Sequence, residues 1–203
     1  MQQQALFSTP KQNQQDLPVT FIRNYLSPKQ QQYLIEEAQT YPFHSPEITV
    51  YGKTHKIPRC QVWFADKGCD YVYSNLWVTA LAWPYHLSRL RQKLRRDFQL
   101  ELNGVLVNKY ADGNDCMGWH CDDEVEIEQG SDIVSISLGT ARDFHIKHKQ
   151  TDQKISFNLQ SGDLLIMHWP MQQHWLHSVP KRKNVKEPRY NLTYRKIRVN
   201  AQD

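Results

Sequence analysis

A mainly β fold with flanking helices (α+β), an antiparallel sandwich or jelly roll, is what this chain of 203 residues predicts. Three observations carry the expectation. From Gly104 onward, short strand-like runs follow one another, broken by turn signals at Asp112-Gly113-Asn114 and Ser161-Gly162-Asp163, a spacing that suits two antiparallel sheets. Before Gly104, two segments carry apolar residues at helical period. The length suits one catalytic unit rather than two ordinary enzymatic domains.

Ser27 followed by Pro28 reads as an N-cap and first helical position, and Tyr33, Leu34, Ala38 and Tyr41 recur behind it at helical spacing. A second helix is predicted by Leu87, Leu90, Leu94 and Phe98, which share one face. Both helices are expected to buttress a sheet. The strand-like runs are Val105 to Tyr110, Ile133 to Leu138, Phe144 to His148, Ile155 to Leu159, Leu164 to His168 and Leu192 to Val199. Residues 1–16 are rich in Gln and poor in large apolar side chains, so a disordered tail is expected there. A single domain over 17–203 follows it, divided into an N-terminal part, 17–103, and a β-core, 104–199.

A formal charge of +4 and a pI near 8.8 permit a polyanionic partner without demanding one. Basic residues concentrate at Arg89, Arg91, Lys93, Arg95 and Arg96, and again at Lys181, Arg182, Lys183 and Lys186, two patches that could face phosphates or simply be solvated. Neither a signal peptide nor a long apolar run is present, and the cysteines Cys60, Cys69, Cys116 and Cys121 form no C-x-x-C pair. A soluble, reducing compartment with free thiols is therefore expected. Cys116 and Cys121 flank His120, but their spacing fits no common structural zinc pattern.

His120-Cys121-Asp122 is followed at a distance by Trp175-Leu176-His177 and then by Arg189-Tyr190-Asn191-Leu192-Thr193-Tyr194-Arg195. One His, one carboxylate and a distant second His are the ligands of the facial triad that holds non-haem Fe(II) with three positions open. Two arginines an even number of positions apart lie on one face of a strand, where they can grip a small dicarboxylate. A lone H-x-D is weak evidence, and spacing by itself leaves His168, His174 and His177 as candidates for the distant ligand. The context Trp175-x-His177-x-Val179-Pro180, shortly before the arginine segment, selects His177.

Asn108-Lys109-Tyr110, His120-Cys121-Asp122-Asp123-Glu124, Leu164-Leu165-Ile166-Met167, Trp175-Leu176-His177-Ser178-Val179-Pro180 and Pro188-Arg189-Tyr190-Asn191-Leu192-Thr193-Tyr194-Arg195 together resemble the AlkB family of nucleic-acid dealkylating dioxygenases. The resemblance runs from about Val50 to Val199 and is closest to the duplex-DNA repair members. It implies a double-stranded β-helix (jelly roll) core over 104–199, an N-terminal nucleotide-recognition lid, Fe(II), and 2-oxoglutarate and O2 as co-substrates. It assigns His120, Asp122 and His177 as iron ligands and catalytic residues. Arg189 and Arg195 match the arginines that pair with the 2-oxoglutarate carboxylates, and Asn108, Tyr110 and Thr193 match supporting contacts.

On the substrate side, Pro58-Arg59-Cys60-Gln61, Trp63-Phe64-Ala65-Asp66 and Tyr71-Val72-Tyr73-Ser74 resemble the lid, so Arg59, Tyr71 and Tyr73 are expected near the base. Val50-Tyr51-Gly52-Lys53 resembles the hairpin finger of duplex-preferring members. There Tyr51 would wedge into the gap left by an extruded base, Gly52 would make the turn and Lys53 would hold a phosphate. Asp123 and Glu124 are expected at the base edge or its ribose neighbourhood.

The activity implied is oxidative DNA repair: demethylation of 1-methyladenine and 3-methylcytosine, with release of formaldehyde, succinate and CO2, by a monomer with no membrane association. A cytoplasmic location in a bacterium, or a nuclear one in a eukaryote, goes with it. Two readings compete: an RNA or protein demethylase on the same core, and a non-catalytic nucleic-acid-binding module or zinc hydrolase sharing the ligands. The two arginines argue against the last, because a hydrolase has no need of a dicarboxylate clamp.

Overall fold

The computed structural model describes residues 17–50, 53–73 and 76–199. Its core is a pair of antiparallel sheets built from strands whose two faces do different work. β7 (Gly104–Tyr110), β9 (Ile133–Gly139), β12 (Leu164–Met167) and β14 (Arg189–Arg195) lie side by side in the order β12-β9-β14-β7. They are extended at the edges by β1 (Val19–Ile22) and β4 (Cys60–Ala65) into one six-stranded sheet. The second sheet holds β8 (Met117–His120), β10 (Arg142–His148), β11 (Lys154–Leu159) and β13 (Trp175–Val179) in the order β11-β10-β13-β8. Apart from the β10–β11 hairpin, successive core strands alternate between the sheets, the connectivity of a jelly roll. Two hairpins, β2 (Glu47–Val50) with β3 (Lys53–Lys56) and β5 (Tyr71–Tyr73) with β6 (Leu76–Val78), form separate two-stranded sheets.

Side chains alternate across a strand, and on the six-stranded sheet that alternation separates core from site. Val105 and Val107, Val134, Ile136 and Leu138, Leu164 and Ile166, and Tyr190, Leu192 and Tyr194 all point to one side, into a single apolar cluster. Two helices, α1 (Pro28–Ala38) and α2 (Tyr85–Phe98), complete that cluster with Leu34, Ala38, Leu87, Leu90 and Leu94. Ser27 caps α1 through a reciprocal capping box with Gln30, and Pro28 takes the position whose missing N–H costs nothing. Tyr41 falls beyond the end of this helix and packs in the same cluster. Glu37 of α1 accepts the backbone N–H groups of His86 and Leu87, so one helix caps the start of the other.

The opposite side of the sheet faces the β11-β10-β13-β8 sheet. Leu165, Met167, Tyr110, Phe144, Ile146 and Trp175 fill much of the space between them. The polar residues Asn108, Ser135, Ser137, Asn191 and Thr193 share that inner side with them.

Segment 58–66, which the resemblance put in the lid, is largely β4, registered residue for residue on β7 with Val62 opposite Val107. The run of cations on α2 lies behind the sheet from the inner cleft. Arg91 makes a two-point contact with Asp66, Arg95 pairs with Glu101 at 2.8 Å and Lys93 with Asp97. Much of that patch is thus neutralised within the chain.

Candidate active site

β8 is the edge strand of the four-stranded sheet, and its register sets His120 directly opposite His177 of β13. The two imidazole centroids stand 4.1 Å apart. Asp122 follows two residues beyond the end of the strand, and its backbone N–H is held by the buried side-chain oxygen of Gln172 at 2.9 Å. One ligand atom from each of His120, Asp122 and His177 lies within 4.8 Å of the others, the one such group among the described residues. The two competing histidines are occupied elsewhere. His168 bridges Thr20 and Asp132, at 2.8 Å to each, and His174 stacks on His148.

Charge and protonation suit a cation. The Nδ1 of His120 lies 2.9 Å from the Gly118 carbonyl, the bond made by a protonated Nδ1, and its Nε2 faces Asp122 Oδ1 at 3.7 Å. Burial first, and the neighbouring imidazole of His120 second, push His177 down to about 3, so it is a neutral donor. Its buried Nδ1 meets no partner among the described residues. Burial would raise the Asp122 carboxyl, but the Arg195 guanidinium and the two imidazoles outweigh it and hold the group ionised, at about 2.

β14 supplies one wall of the cleft. Its inward positions are Arg189, Asn191, Thr193 and Arg195. Arg189 is fully buried, and its Nη2 donates to Ser137 at 2.9 Å and to Asn191 at 2.8 Å. Burial lowers its guanidinium to about 10, which leaves it a cation at neutral pH. The Asn191 side chain also accepts from Ser135 and donates to Thr193, which makes it the hinge of the polar network.

At the other end Arg195 Nη2 meets Asp122 Oδ1 at 2.9 Å, and its Nη1 faces Glu124 Oε1 at 3.6 Å. Arg195 therefore steadies the carboxylate of the triad. Glu124, expected at the base, faces this guanidinium.

The remaining predicted residues divide into four groups. Asn108, Tyr110 and Thr193 line the cleft together with His120, Asp122 and His177. Arg59 is buried behind the cleft wall, where its Nε donates to Asn108 at 3.0 Å, and Asp123 is exposed with its carboxylate accepting from the Cys121 thiol. Of the finger, Val50 pairs with Lys53, while Tyr51 and Gly52 lie outside the described residues. Tyr71 and Tyr73 pair through their backbones with Val78 and Leu76.

Sequence reasoning left four residues out of the site. Asn191 sits on the same even spacing as both arginines, and Ser135 and Ser137 interrupt an otherwise apolar strand; both signals were readable. Gln172, fifty positions from the Asp122 N–H it holds, offered none.

Across residues 18–195 the chain matches the model of the 2OG-Fe(II) oxygenase superfamily. The chain belongs to that superfamily. Among its members it is 40% identical over 172 residues to the DNA oxidative demethylase ALKBH2 of Mus musculus, an alignment covering 81% of this chain and 72% of that one. The ALKBH2 of Homo sapiens is 38% identical over 174 residues, covering 82% and 67% of the two chains. The human alpha-ketoglutarate-dependent dioxygenase alkB homolog 3 is 27% identical over 190 residues, covering 88% and 66%.

The solved structure of OsALKBH1 has the same fold, with a TM-score of 0.63 at 19% identity, covering 91% of this chain and 100% of that one. A family with these relatives places the chain among the AlkB homologues, and its name implies Fe(II) and 2-oxoglutarate. The donor set fits: an ionised carboxylate with a neutral imidazole opposite a second one, beside a wall carrying a buried arginine whose Nε and Nη1 lack acceptors among the described residues. No helix of the described residues is long and apolar enough to cross a membrane.

Proposed function

We propose that this 2OG-Fe(II) oxygenase is an oxidative demethylase of N-alkylated nucleic-acid bases, acting on DNA lesions such as 1-methyladenine and 3-methylcytosine. The observation that carries the reading is the joint geometry of the triad and β14: His120, Asp122 and His177 converge beside a strand that turns Arg189 and Arg195 into the same cleft. The names borne by the relatives support nucleic acid, and DNA in particular, as the substrate.

In this reading His120, Asp122 and His177 hold Fe(II), and Arg189 grips the far carboxylate of 2-oxoglutarate with Asn108, Tyr110 and Thr193 around it. Arg195 lies at the near end, against Asp122. Iron bound there, with 2-oxoglutarate and O2, supplies oxidation of an N-methyl C–H bond, giving succinate, CO2 and an N-hydroxymethyl base that sheds formaldehyde. The chain's own contribution is positional. Asp122 is kept ionised by Arg195 and kept in place by Gln172, and Arg189 offers a fixed cation for the dicarboxylate in a wall closed to water. The reading puts the protein where nucleic acid is kept, the cytoplasm of a bacterium or the nucleus of a eukaryote.

The test is formaldehyde release from oligonucleotides carrying 1-methyladenine or 3-methylcytosine, as single-stranded DNA, duplex DNA and RNA, with and without Fe(II) and 2-oxoglutarate. Release from DNA that needs both additions is the expected result. Formaldehyde from methylated RNA but not from DNA would overturn the assignment of substrate, and none from any of them would overturn the reading as a whole.

A further inference from the structure

The outer face of the β11-β10-β13-β8 sheet carries chemistry that the cleft does not use. Alternation turns Asp143, His145 and Lys147 of β10 outward, with Lys154, Ser156 and Asn158 of β11 beside them, while Phe144, Ile146 and Phe157 point inward. Both long helices pack on the other sheet, so neither covers this face. Trp119 of the edge strand β8 is 41% exposed. Lys147 Nζ stands 4.6 Å over its ring, and the His145 ring is 6.4 Å away.

Electrostatically the face is positive. The one carboxylate among those outward residues of β10 and β11, Asp143, is already taken by Arg182 at 2.6 Å and by Asn158 at 3.0 Å. The same Arg182 contact ties the loop after β13 to this sheet, with Lys181 and Lys183 exposed on either side. The loop is fixed at its base as well. Arg182 N–H donates to the Gly113 carbonyl, Gly113 N–H donates to Val185, and a side chain on Gly113 would meet the Arg182 carbonyl oxygen at 1.6 Å. Buried Arg142 closes the junction with bonds to the carbonyls of Asp112, Asp115 and Pro180.

We propose that this face is a nucleic-acid contact surface: an unpaired base flanking the modified one stacks on Trp119, and the adjoining phosphates lie on Lys147, Lys181 and Lys183. The inference rests on the nucleic-acid reading above. Adjacent positions of β8 project to opposite sides, so Trp119 stands outside the sheet where His120 enters the cleft. β8 is the edge strand, and a strand whose modified base reaches His120 passes around its single backbone thickness. An exposed indole beside lysines that make no ion pair among the described residues combines the two elements by which proteins hold single strands without reading sequence, a stacking platform and cations along the backbone.

The experiment measures fluorescence anisotropy of a fluorescein-labelled, unmethylated 15-nucleotide single-stranded DNA with the full metal-free chain. Trp119→Ala should weaken Kd about tenfold, and Trp119→Phe should restore most of the loss. The double change Lys147→Ala with Lys183→Ala should flatten the slope of log K against log salt by about 1.4, at about 0.7 per phosphate contact on a single strand. Melting curves of each variant confirm folding.

An unchanged Kd for Trp119→Ala, or an unchanged salt slope for the lysine pair, overturns the proposal. So does poly-glutamate displacing the DNA as well as an oligonucleotide of equal charge, which would make the face a seat for an acidic protein. Formaldehyde release by the wild type separates the two readings. Turnover of methylated DNA with unchanged binding by the variants sinks this inference alone. Trp119-dependent binding without turnover of any methylated nucleic acid sinks the demethylase reading and leaves the surface standing.

Discussion

Lowering the pH of the metal-free protein should remove stability through His177 in particular. Its imidazole is held at about 3 in the folded protein, by burial first and by the neighbouring His120 second, against an ordinary value of 6.5. Below pH 6.5 the unfolded chain therefore binds a proton that the folded chain refuses. The stability tied to this group is intact above that value and drains away as the pH falls toward 3. Between about pH 6.5 and about pH 5 the loss is one and a half pH units at about 1.4 kcal/mol each, or about 2 kcal/mol, for any folded value well below 5.

Asp122 works in the same direction but in a lower window, because its folded value of about 2 lies beneath an ordinary 3.8. Its stabilisation is still almost fully present at about pH 5, so it adds almost nothing to the loss down to that pH. Urea unfolding in a chelator at about pH 7.5 and about pH 5, run on wild type and His177→Gln, isolates the effect. Wild type should lose about 2 kcal/mol more than the variant between the two conditions, a midpoint difference of about 1 M urea. Parallel losses would refute the argument that a neutral, buried imidazole is built into the folded state.

Arg195→Lys keeps a charge but loses the planar fork, so the apparent affinity for 2-oxoglutarate should fall about tenfold or more, read from succinate formation. An unchanged affinity would mean that the guanidinium serves Asp122 alone. His177→Ala should abolish both iron retention and succinate formation, whereas His168→Ala, which loses only its contacts to Thr20 and Asp132, should keep its iron in a colorimetric chelator assay. Gln172→Ala strands the buried N–H of Asp122, at a cost of about 1–3 kcal/mol in urea unfolding; no change in stability would show that water takes the place of the amide.

The strands legible from the sequence are those with clean alternation or an unbroken apolar run. β7, β9, β11 and β12 fall within a residue of the predicted runs, and β10 within two. β8 and β13 were not legible, because Met117-Gly118-Trp119-His120 and Trp175-Leu176-His177-Ser178-Val179 carry ligands and a glycine where a strand pattern expects apolar side chains. β14 begins three residues before the predicted Leu192 and ends before Val199. Its inward face is wholly polar, and buried arginine next to asparagine reads as surface until a second sheet is known to lie opposite.

The triad and the arginine wall were visible as motifs, yet the contact between Arg195 and Asp122 was not, since it joins positions more than seventy apart. For the cations on α2 the sequence left open a phosphate-facing patch and a merely solvated one. Only the fold puts Arg91 against Asp66 and the whole helix behind the sheet.

One strand of seven residues ties the fate of the cleft to the fate of the interior. On β14 the odd positions 189–195 build the polar wall, while Tyr190, Leu192 and Tyr194 anchor the layer under both helices. Deleting a single residue ahead of Arg189, with the strand kept in place, would exchange the two sets: the arginines would enter the apolar layer and the tyrosines would fill the cleft. Such a lesion leaves no inert but well-folded protein behind. Point changes at the odd positions, by contrast, can silence the cleft and spare the fold. Descendants of this chain that have lost their chemistry should therefore carry substitutions in this strand and almost never gaps.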